Sequence, residues 1–466
     1  MKIISFVYNL LWGDLFNMPL PGGGSVGISL LVLMLIPTGI YFTLRTKFLP
    51  IRCLPEMLRI ALEKENDKKG NEKGNGAISG MQTLIVATAT RVGMGNLIGV
   101  VAAVSAGGAG AVFWMWVTAL IGSSTAFIEA TLAQLHKEKD PLYGGYRGGP
   151  AYYIQHFCKG KNGKKSIIAV LFALSGLLCW CGVSQVISNS VSSAFYNAFQ
   201  IPPIVSTIVL VVLAAVVVLR KNATVKVLDI MVPVMAVFYF VITLIVIGKN
   251  FGLLPSVFRR IMEEAFGIRQ IAAGGFGAVL MNGVKRGLFS NEAGSGSAPC
   301  AAAAADVSHP AKSGLFQAFG VLIDTIVICT CTAMLMLLVP EDVLGGLEGM
   351  ALLQTAMNYH FGYIGVVFIA ITLWLFSFST FVGILYYSRS NVAFLFGDDW
   401  KWQTAYKVLA LAMLFIGGLA TYTFVWDLGD IGVGLMTVFN IIIILPMGGQ
   451  ALKSLKEYES LRKETK

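Results

Sequence analysis

The sequence predicts an all-α membrane protein with about eleven transmembrane helices. Three observations predict it. Hydrophobic residues make up 56% of the 466 positions and charged residues only 13%, about half the share usual in soluble domains. Apolar runs of bilayer-spanning length recur from about residue 27 to residue 447. Most Lys and Arg residues gather in alternate connecting loops, as the positive-inside rule requires.

The first span covers about 27–44, followed by about 83–105, 111–135, 166–190, 204–219 and 227–247. A second set lies at about 271–289, 314–338, 364–388, 404–422 and 430–447. The 204–219 span is short and is bounded by Pro202-Pro203 and Arg220-Lys221. The 45–78 loop, the 136–165 loop and the tail from Lys453 to Lys466 are all basic and fall on one side, expected to be cytoplasmic. That puts the N-terminus outside. On the opposite side, Arg259, Arg260 and Arg269 occur in a stretch from about 256 to 269 beside Glu263 and Glu264. An amphipathic interfacial helix reconciles them with the rule. The chain opens Met1-Lys2-Ile3-Ile4, and Gly13-Asp14 interrupts its first apolar run, so no cleaved signal peptide is expected. The Lys64–Gly76 segment is charged and glycine-dotted and reads as flexible.

Several function classes are excluded. The net charge of +10 is spread over membrane loops, with no basic soluble domain to grip nucleic acid. Cys53, Cys158, Cys179, Cys181, Cys300, Cys329 and Cys331 form no Cys-x-x-Cys pair and read as small buried hydrophobes. His136, His156, His309 and His360 have no metal-binding spacing, and no phosphate-binding Gly-x-x-x-x-Gly-Lys loop occurs. Gly22-Gly23-Gly24 follows no predicted strand. Ser290-Asn291-Glu292 has no histidine at hand to make Ser290 a nucleophile. An enzyme is therefore not expected, and neither is a channel, since no repeated polar pore stripe or ring of charge appears.

The informative feature is an interruption. Within 83–105, Thr90-Arg91-Val92-Gly93-Met94-Gly95-Asn96 breaks an otherwise apolar helix at mid-bilayer depth. Loosened backbone is tolerated there only beside protein or a water-filled cavity. The second set of spans opens with Ala272-Ala273-Gly274-Gly275-Phe276-Gly277. Setting the first span aside leaves five and five, and an odd number per half requires the halves to be inverted. Paired broken helices in inverted halves are the arrangement of a secondary transporter. The expected divisions are residues 1–78 (extra helix and basic loop), 79–248 and 249–447 (the repeats, the second with the interfacial segment), and 448–466 (basic tail). Gly93, Gly95, Asn96, Gly274, Gly275 and Phe276 are thus candidate substrate contacts. Ser379-Thr380, in the ninth span, can ligate a small hard cation, or bond back to helix carbonyls. Asp324, Glu129 and Arg91 are intramembrane ionisable residues and hence coupling candidates; a helix-fixing ion pair is the plainer reading of the acids.

Four blocks carry a resemblance: Phe113-Trp114-Met115-Trp116-Val117 after Gly107–Ala111, Arg91–Leu97, Tyr143–Ala151, and Gly283–Gly294. Across about residues 80 to 447 the chain resembles the alanine-or-glycine:cation symporter family, also called the sodium:alanine symporter family, of the amino acid–polyamine–organocation superfamily. The resemblance implies a leucine-transporter-like five-plus-five inverted repeat with one extra N-terminal helix. It implies alternating-access uptake of small neutral amino acids driven by Na⁺, in a bacterial or archaeal cell (inner) membrane. Its partners are then the amino acid and the lipid bilayer; oligomeric state is not indicated. Gly95 and Asn96 fall on the family's substrate-contacting break and Thr380 on its substrate-contacting threonine. Ser379 becomes a sodium neighbour, together with Thr380 and carbonyls before the break, Thr90 among them.

Two departures bear on the cargo. The family's Gly-Trp after that threonine is Gly383-Ile384 here, and Ile187 stands where the family's Val-Gln-x-Asn has Gln, ahead of Asn189. Both changes make the site more apolar, so a substrate larger or more apolar than alanine is expected. Proton-coupled relatives in the superfamily place a lysine inside the fifth core span; Val227–Ile247 has none, which favours Na⁺ and leaves H⁺ open through Asp324.

Overall fold

A computed structural model describes residues 2–19, 25–62, 93–158, 164–220, 224–267 and 275–464. Each predicted span coincides with a helix in these residues. Helix α1 (Lys2–Trp12) leads into a hairpin of β1 (Asp14–Pro19) and β2 (Ser25–Ser29), then α2 (Leu30–Arg45). Ser29 caps α2, its hydroxyl accepting from the Val32 N–H at 3.3 Å. Short helices α3 (Leu49–Arg52) and α4 (Leu54–Leu62) follow on the basic side. The first five core spans are α5 (Gly95–Gly107), α6 (Gly110–Leu135), α8 (Ile167–Phe199), α9 (Pro203–Val218) and α10 (Thr224–Lys249), with α7 (Pro150–Cys158) between α6 and α8.

The bridge to the second set is α11 (Leu254–Ala265), with the chain bent by 76° after α10. A helix thus forms where the charges led an amphipathic segment to be expected. Arg259 pairs with Glu263 at 2.7 Å and Arg260 with Glu264 at 2.8 Å. Its buried side carries Val257, Ile261 and Ala265. Glu264 also accepts from the Gly110 N–H at 3.2 Å, placing an anion at the N-terminus of α6, where the helix dipole favours it.

The second set comprises α12 (Gly275–Asn291), the short α13 (Ala298–Ala302), α14 (Pro310–Leu337), α15 (Glu341–Leu344), α16 (Met350–Phe361), α17 (Tyr363–Phe396), α18 (Trp400–Gly417) and α19 (Tyr422–Glu464). The long helices α6, α8, α14, α17 and α19 are apolar enough to cross a membrane. At 1.5 Å per residue, the 43 residues of α19 span about 65 Å, so it carries the tail well beyond a bilayer core. Helix α8 runs at the centre against α17, α18 and α19, while α6 packs on α12 and α14. Small residues set the α8–α19 crossing: a Cβ on Gly432 would lie 2.3 Å from Cys179 Cα, and one on Gly182 2.8 Å from the Gly429 N. Such close backbone approach is how helices associate where lipid removes the hydrophobic drive.

Two local expectations are corrected. A strand does precede Gly22–Gly24, because Asp14–Pro19 pairs antiparallel with Ser25–Ser29. The hairpin's next element is the transmembrane helix α2, so the glycines still head no phosphate cradle. The second interruption also lies elsewhere than Gly274–Gly277, as described next.

Candidate functional site

The first break enters the description at Gly93; Thr90 and Arg91 lie outside the described residues. From Gly95 to Gly99 the chain winds as a π turn before becoming α-helical, a form common at functional sites. The loose end is held from two sides. The Gly93 N–H donates to Asn96 Oδ1 at 3.1 Å, and the Met94 N–H donates to Thr380 Oγ1 at 3.1 Å. Gly95 lets the break reach α12, since a Cβ there would sit 3.4 Å from both Phe289 O and Ser290 Cα.

The second break is not at Gly274–Gly277. Gly274 lies outside the described residues. Gly275 opens α12 with open space about it, and Phe276 packs against Trp114 at 5.9 Å beside the interfacial helix. Glycines at a helix start need no cavity; they turn the chain. The helix unwinds instead after Asn291, where Glu292, Gly294 and Gly296 take positive φ of 59°, 97° and 82°. Main-chain groups freed there find side-chain partners. The Gly294 N–H donates to Glu129 Oε2 at 3.2 Å, and Asn440 Nδ2 donates to Gly294 O at 3.0 Å and also to Glu129. The Tyr153 hydroxyl donates to Asn440 Oδ1 in turn. Glu129 therefore braces the break through hydrogen bonds.

A cavity of about 40 Å³ lies between the two breaks, room for about three waters. Gly95 and Met94 wall it from α5, Ser290, Glu292, Ser295 and Ser297 from the second break, and Thr380 and Ile384 from α17. Cys179, Trp180 and Val183 of α8 and Val433 and Met436 of α19 complete an apolar side. Hydroxyls and irregular backbone thus face one wall, and large apolar side chains face the other. Such a division suits a molecule with a zwitterionic head and a carbon side chain.

Of the residues singled out from sequence, Gly95, Thr380 and Ile384 meet on this cavity. Ile187 does not; it is fully buried one turn beyond Val183 on α8, outside the cavity wall. Asn96 also turns away, its amide donating to Asp324 Oδ1 at 2.5 Å. Ser379 bonds back to Phe376 O at 2.8 Å. Ser290, weighed from sequence only as a nucleophile without a histidine, and the Glu292–Ser297 run line the cavity as well. Their signal was present: two glycines and three serines within eight residues directly after an apolar run.

With this geometry in place, the chain was compared with known proteins. A profile of the sodium:alanine symporter family matches residues 23–466. The chain belongs to that family. The "Probable sodium/glutamine symporter GlnT" of Bacillus subtilis (strain 168) is 42% identical, over 94% of this chain and 89% of that protein. The "Sodium/alanine symporter AgcS" of Methanococcus maripaludis is 35% identical, over 93% of this chain and 95% of that one. Among solved structures, that of MhsT in complex with L-phenylalanine superposes with a TM-score of 0.54 at 15% identity, covering 81% of this chain and 89% of that one. The fold is thus leucine-transporter-like, and this sodium:alanine symporter family member is a multi-pass membrane transporter of amino acids rather than an enzyme.

In this family member a larger vestibule of about 510 Å³ lies beyond the cavity, bounded by Ile98, Asn189, Tyr196, Gly349 and Tyr422. Along α19, Tyr422 belongs to the vestibule, Trp426 follows one turn further in, and Val433 and Met436 reach the cavity. Trp426 packs against Phe289 with the rings tilted and their centroids 4.9 Å apart. The Arg286 guanidinium lies over the Trp426 ring at 4.0 Å and grips Asp430 with two bonds, of 3.0 and 2.7 Å. Lys285 joins the same carboxylate at 3.3 Å and donates to the Tyr8 hydroxyl at 2.8 Å. Trp12 Nε1 donates to Asp430 O at 3.0 Å. Helix α1, unassigned from sequence, thus braces this cluster.

Proposed function

We propose that this protein is a sodium-coupled symporter of neutral amino acids working by alternating access between two repeats, residues 79–248 and 249–447, with its N-terminus outside. The observation that carries the reading is the cavity enclosed jointly by two broken helices, with Thr380 bonded to the first and Ser290 on the second. The cargo's carboxylate and ammonium groups meet the hydroxyls and main-chain groups of the two breaks. Its side chain faces Trp180, Ile384 and Met436. A sodium ion takes the Ser379 and Thr380 hydroxyls and carbonyls of the first break, hard oxygens of the kind such ions prefer. Two relatives are named for glutamine and for alanine, which supports a neutral cargo.

Isoleucine at 384 supports a cargo larger or more apolar than alanine, because it is smaller than the tryptophan the family usually carries there. With Ile187 off the cavity, Ile384 alone supports that reading. Purified protein in liposomes, loaded with and without an inward Na⁺ gradient, tests the proposal. Labelled amino acid should accumulate against its gradient only with Na⁺ outside. Competition by alanine, valine, leucine and glutamine then ranks the cargo. Accumulation driven by a pH gradient alone overturns sodium coupling, and a clear preference for glycine or alanine overturns the size argument.

A further inference from the structure

On the basic side of the protein, a strip of apolar side chains is left exposed. It begins on the outside of α2 with Leu33, Ile40 and Leu44, the lipid-facing side of a span. The span ends in a sharp turn. The Phe48 N–H donates to Thr43 O at 2.8 Å, and Lys47 and Phe48 take φ of 55° and 56°. Glycine is the usual residue at such a helix end, so two residues with side chains hold this turn at a cost. The turn sends the chain into α3 and α4, where Phe48, Ile51, Leu54 and Leu58 continue the strip, Ile51 being 70% exposed. Their spacing of three or four residues keeps them on one face. The opposite face is packed. Leu49, Cys53 and Met57 are buried there, with α3 against α6 and α4 against α14. The polar edge is held by the tail of α19. Arg52 pairs with Glu459 at 2.6 Å, and the buried Glu56 accepts from the Tyr458 hydroxyl at 2.6 Å and pairs with Arg462 at 2.7 Å.

We propose that α3–α4 docks on the anionic headgroup layer of the bilayer, and that lipid charge acts through it on transport. The strip runs on from the lipid-facing side of α2, so the bilayer already lies along its first half. Cations rim the rest. Residues 45–62 hold Arg45, Lys47, Arg52 and Arg59 against the single acid Glu56, and Glu56 is buried beneath the tail. Arg45 and Lys47 are exposed where the span ends. A helix with one apolar face and a basic rim lies in the headgroup layer, and each Lys or Arg there favours anionic lipid by about fivefold. A second copy of this chain is the poorer occupant, since a two-fold pairing would set these cations against their own kind. The inward face of α3–α4 touches α14 and α6, and the Glu129 carboxylate of α6 braces the second break. A shift of α3–α4 with the bilayer surface therefore reaches helices that shape the cavity. Lipid acts in this way whichever ion drives the cargo.

A fluorophore that brightens in apolar surroundings, attached to the full chain at Ile51→Cys, Leu58→Cys or Ser460→Cys, reports the docking. The native cysteines are buried apart from the half-buried Cys158, and the unsubstituted chain, labelled in parallel, gives their background. The protein is placed in liposomes of phosphatidylcholine with or without phosphatidylglycerol, and a nitroxide-bearing lipid is the quencher. Probes at 51 and 58 should brighten and be quenched several-fold more than the probe at 460, which sits on the exposed side of the tail, and more so with phosphatidylglycerol. Probes at 51 and 58 that behave like the one at 460 overturn the docking. So do probes that brighten but escape the lipid quencher, the mark of a second copy. Uptake of labelled L-alanine or L-glutamine, measured against phosphatidylglycerol content, reads the effect on transport. Wild-type uptake should rise with phosphatidylglycerol, and the pair Arg45→Gln and Lys47→Gln should lose most of the rise. The pair Lys456→Gln and Lys463→Gln, which removes equal charge from the tail, should keep it. Uptake that ignores phosphatidylglycerol, or a rise lost equally in both pairs, overturns the role of lipid charge at α3–α4. The fluorescence needs no transport, so its outcome is distinct from that of sodium coupling.

Discussion

Asp430→Asn is a sharp test of how the cavity is kept closed. The substitution removes the only charge that Asp430 brings to Arg286 and Lys285, which approach it at 2.7 and 3.3 Å. Both cations are nearly inaccessible, at 5% and 8%. Breaking a buried pair by removing one partner costs about 3–5 kcal/mol, because the remaining charge is stranded. Here the stranded cations have an escape short of unfolding: parting of α12 from α19 would expose them to the vestibule. If that route takes up even about 3 kcal/mol, the ratio of open to closed molecules rises more than a hundredfold. The assay is thiol labelling of Tyr422→Cys in the vestibule and of Met436→Cys in the cavity, in wild-type and D430N backgrounds. Met436→Cys should become strongly reactive only with D430N, and Tyr422→Cys should react in both. The paired change Arg286→Met with Asp430→Leu should restore much of the closure, as apolar replacements of buried pairs often do. If D430N lowers thermal stability by the full amount and leaves Met436→Cys protected, the ion pair holds the fold and not the closure, and the reasoning fails.

Other outcomes follow from the same geometry. Ile384→Trp fills the apolar wall and should shift cargo preference toward alanine by about tenfold to a hundredfold, the usual worth of a methylene-scale change; competition uptake reads it. Gly95→Val should abolish transport, because its Cβ would press on Phe289 O and Ser290 Cα at 3.4 Å and its branches reach further; overpacking of this kind costs about 1–3 kcal/mol, and uptake at the wild-type rate refutes the close approach. Glu129→Ala releases the Gly294 N–H and Asn440, a buried-network loss of about 2–5 kcal/mol, seen as a lowered melting temperature in detergent. At the end of α6, burial, chiefly, and His156 nearby push the His136 imidazole below its ordinary value, against the hydrogen bond that Gln450 Oε1 accepts from the ring. The folded state therefore binds that proton less readily than the unfolded chain. Its contribution to stability is full above the unfolded value of about 6.5 and is lost as pH falls below it; a His136→Gln variant should show a flatter melting profile between about pH 7 and 5.

Much of the architecture was legible because a bilayer imposes a length and a charge rule on each span. The eleven apolar runs and the basic loops needed no packing information. The first break was legible for the same reason, since Gly93, Gly95 and Asn96 stand out against an apolar background. The second was misplaced because glycine density was taken as the signal. Gly275 and Gly277 sit in the first turn of α12, where glycines merely turn the chain after α11. Glu292–Ser297 follows the apolar run instead of interrupting it, so it does not stand out as a break. Only packing shows that α13 continues the span, and that Glu129 and Asn440, far apart in sequence, receive the freed main chain. The direction of Asn96 was likewise hidden, because one polar residue at a break faces either cargo or a neighbouring helix according to where Asp324 lies. Ile187 and Ile384 looked equivalent as substitutions, and one helical turn separates the first from the cavity.

The bond from Trp12 to Asp430 has a consequence for how the chain is made. Its partners are 418 residues apart, so the brace joins helices made far apart in time. Until α19 leaves the ribosome and enters the bilayer, Lys285 and Arg286 have already been inserted without the carboxylate they will share. A chain stalled short of residue 430 therefore carries two adjacent cations without the carboxylate that pairs them.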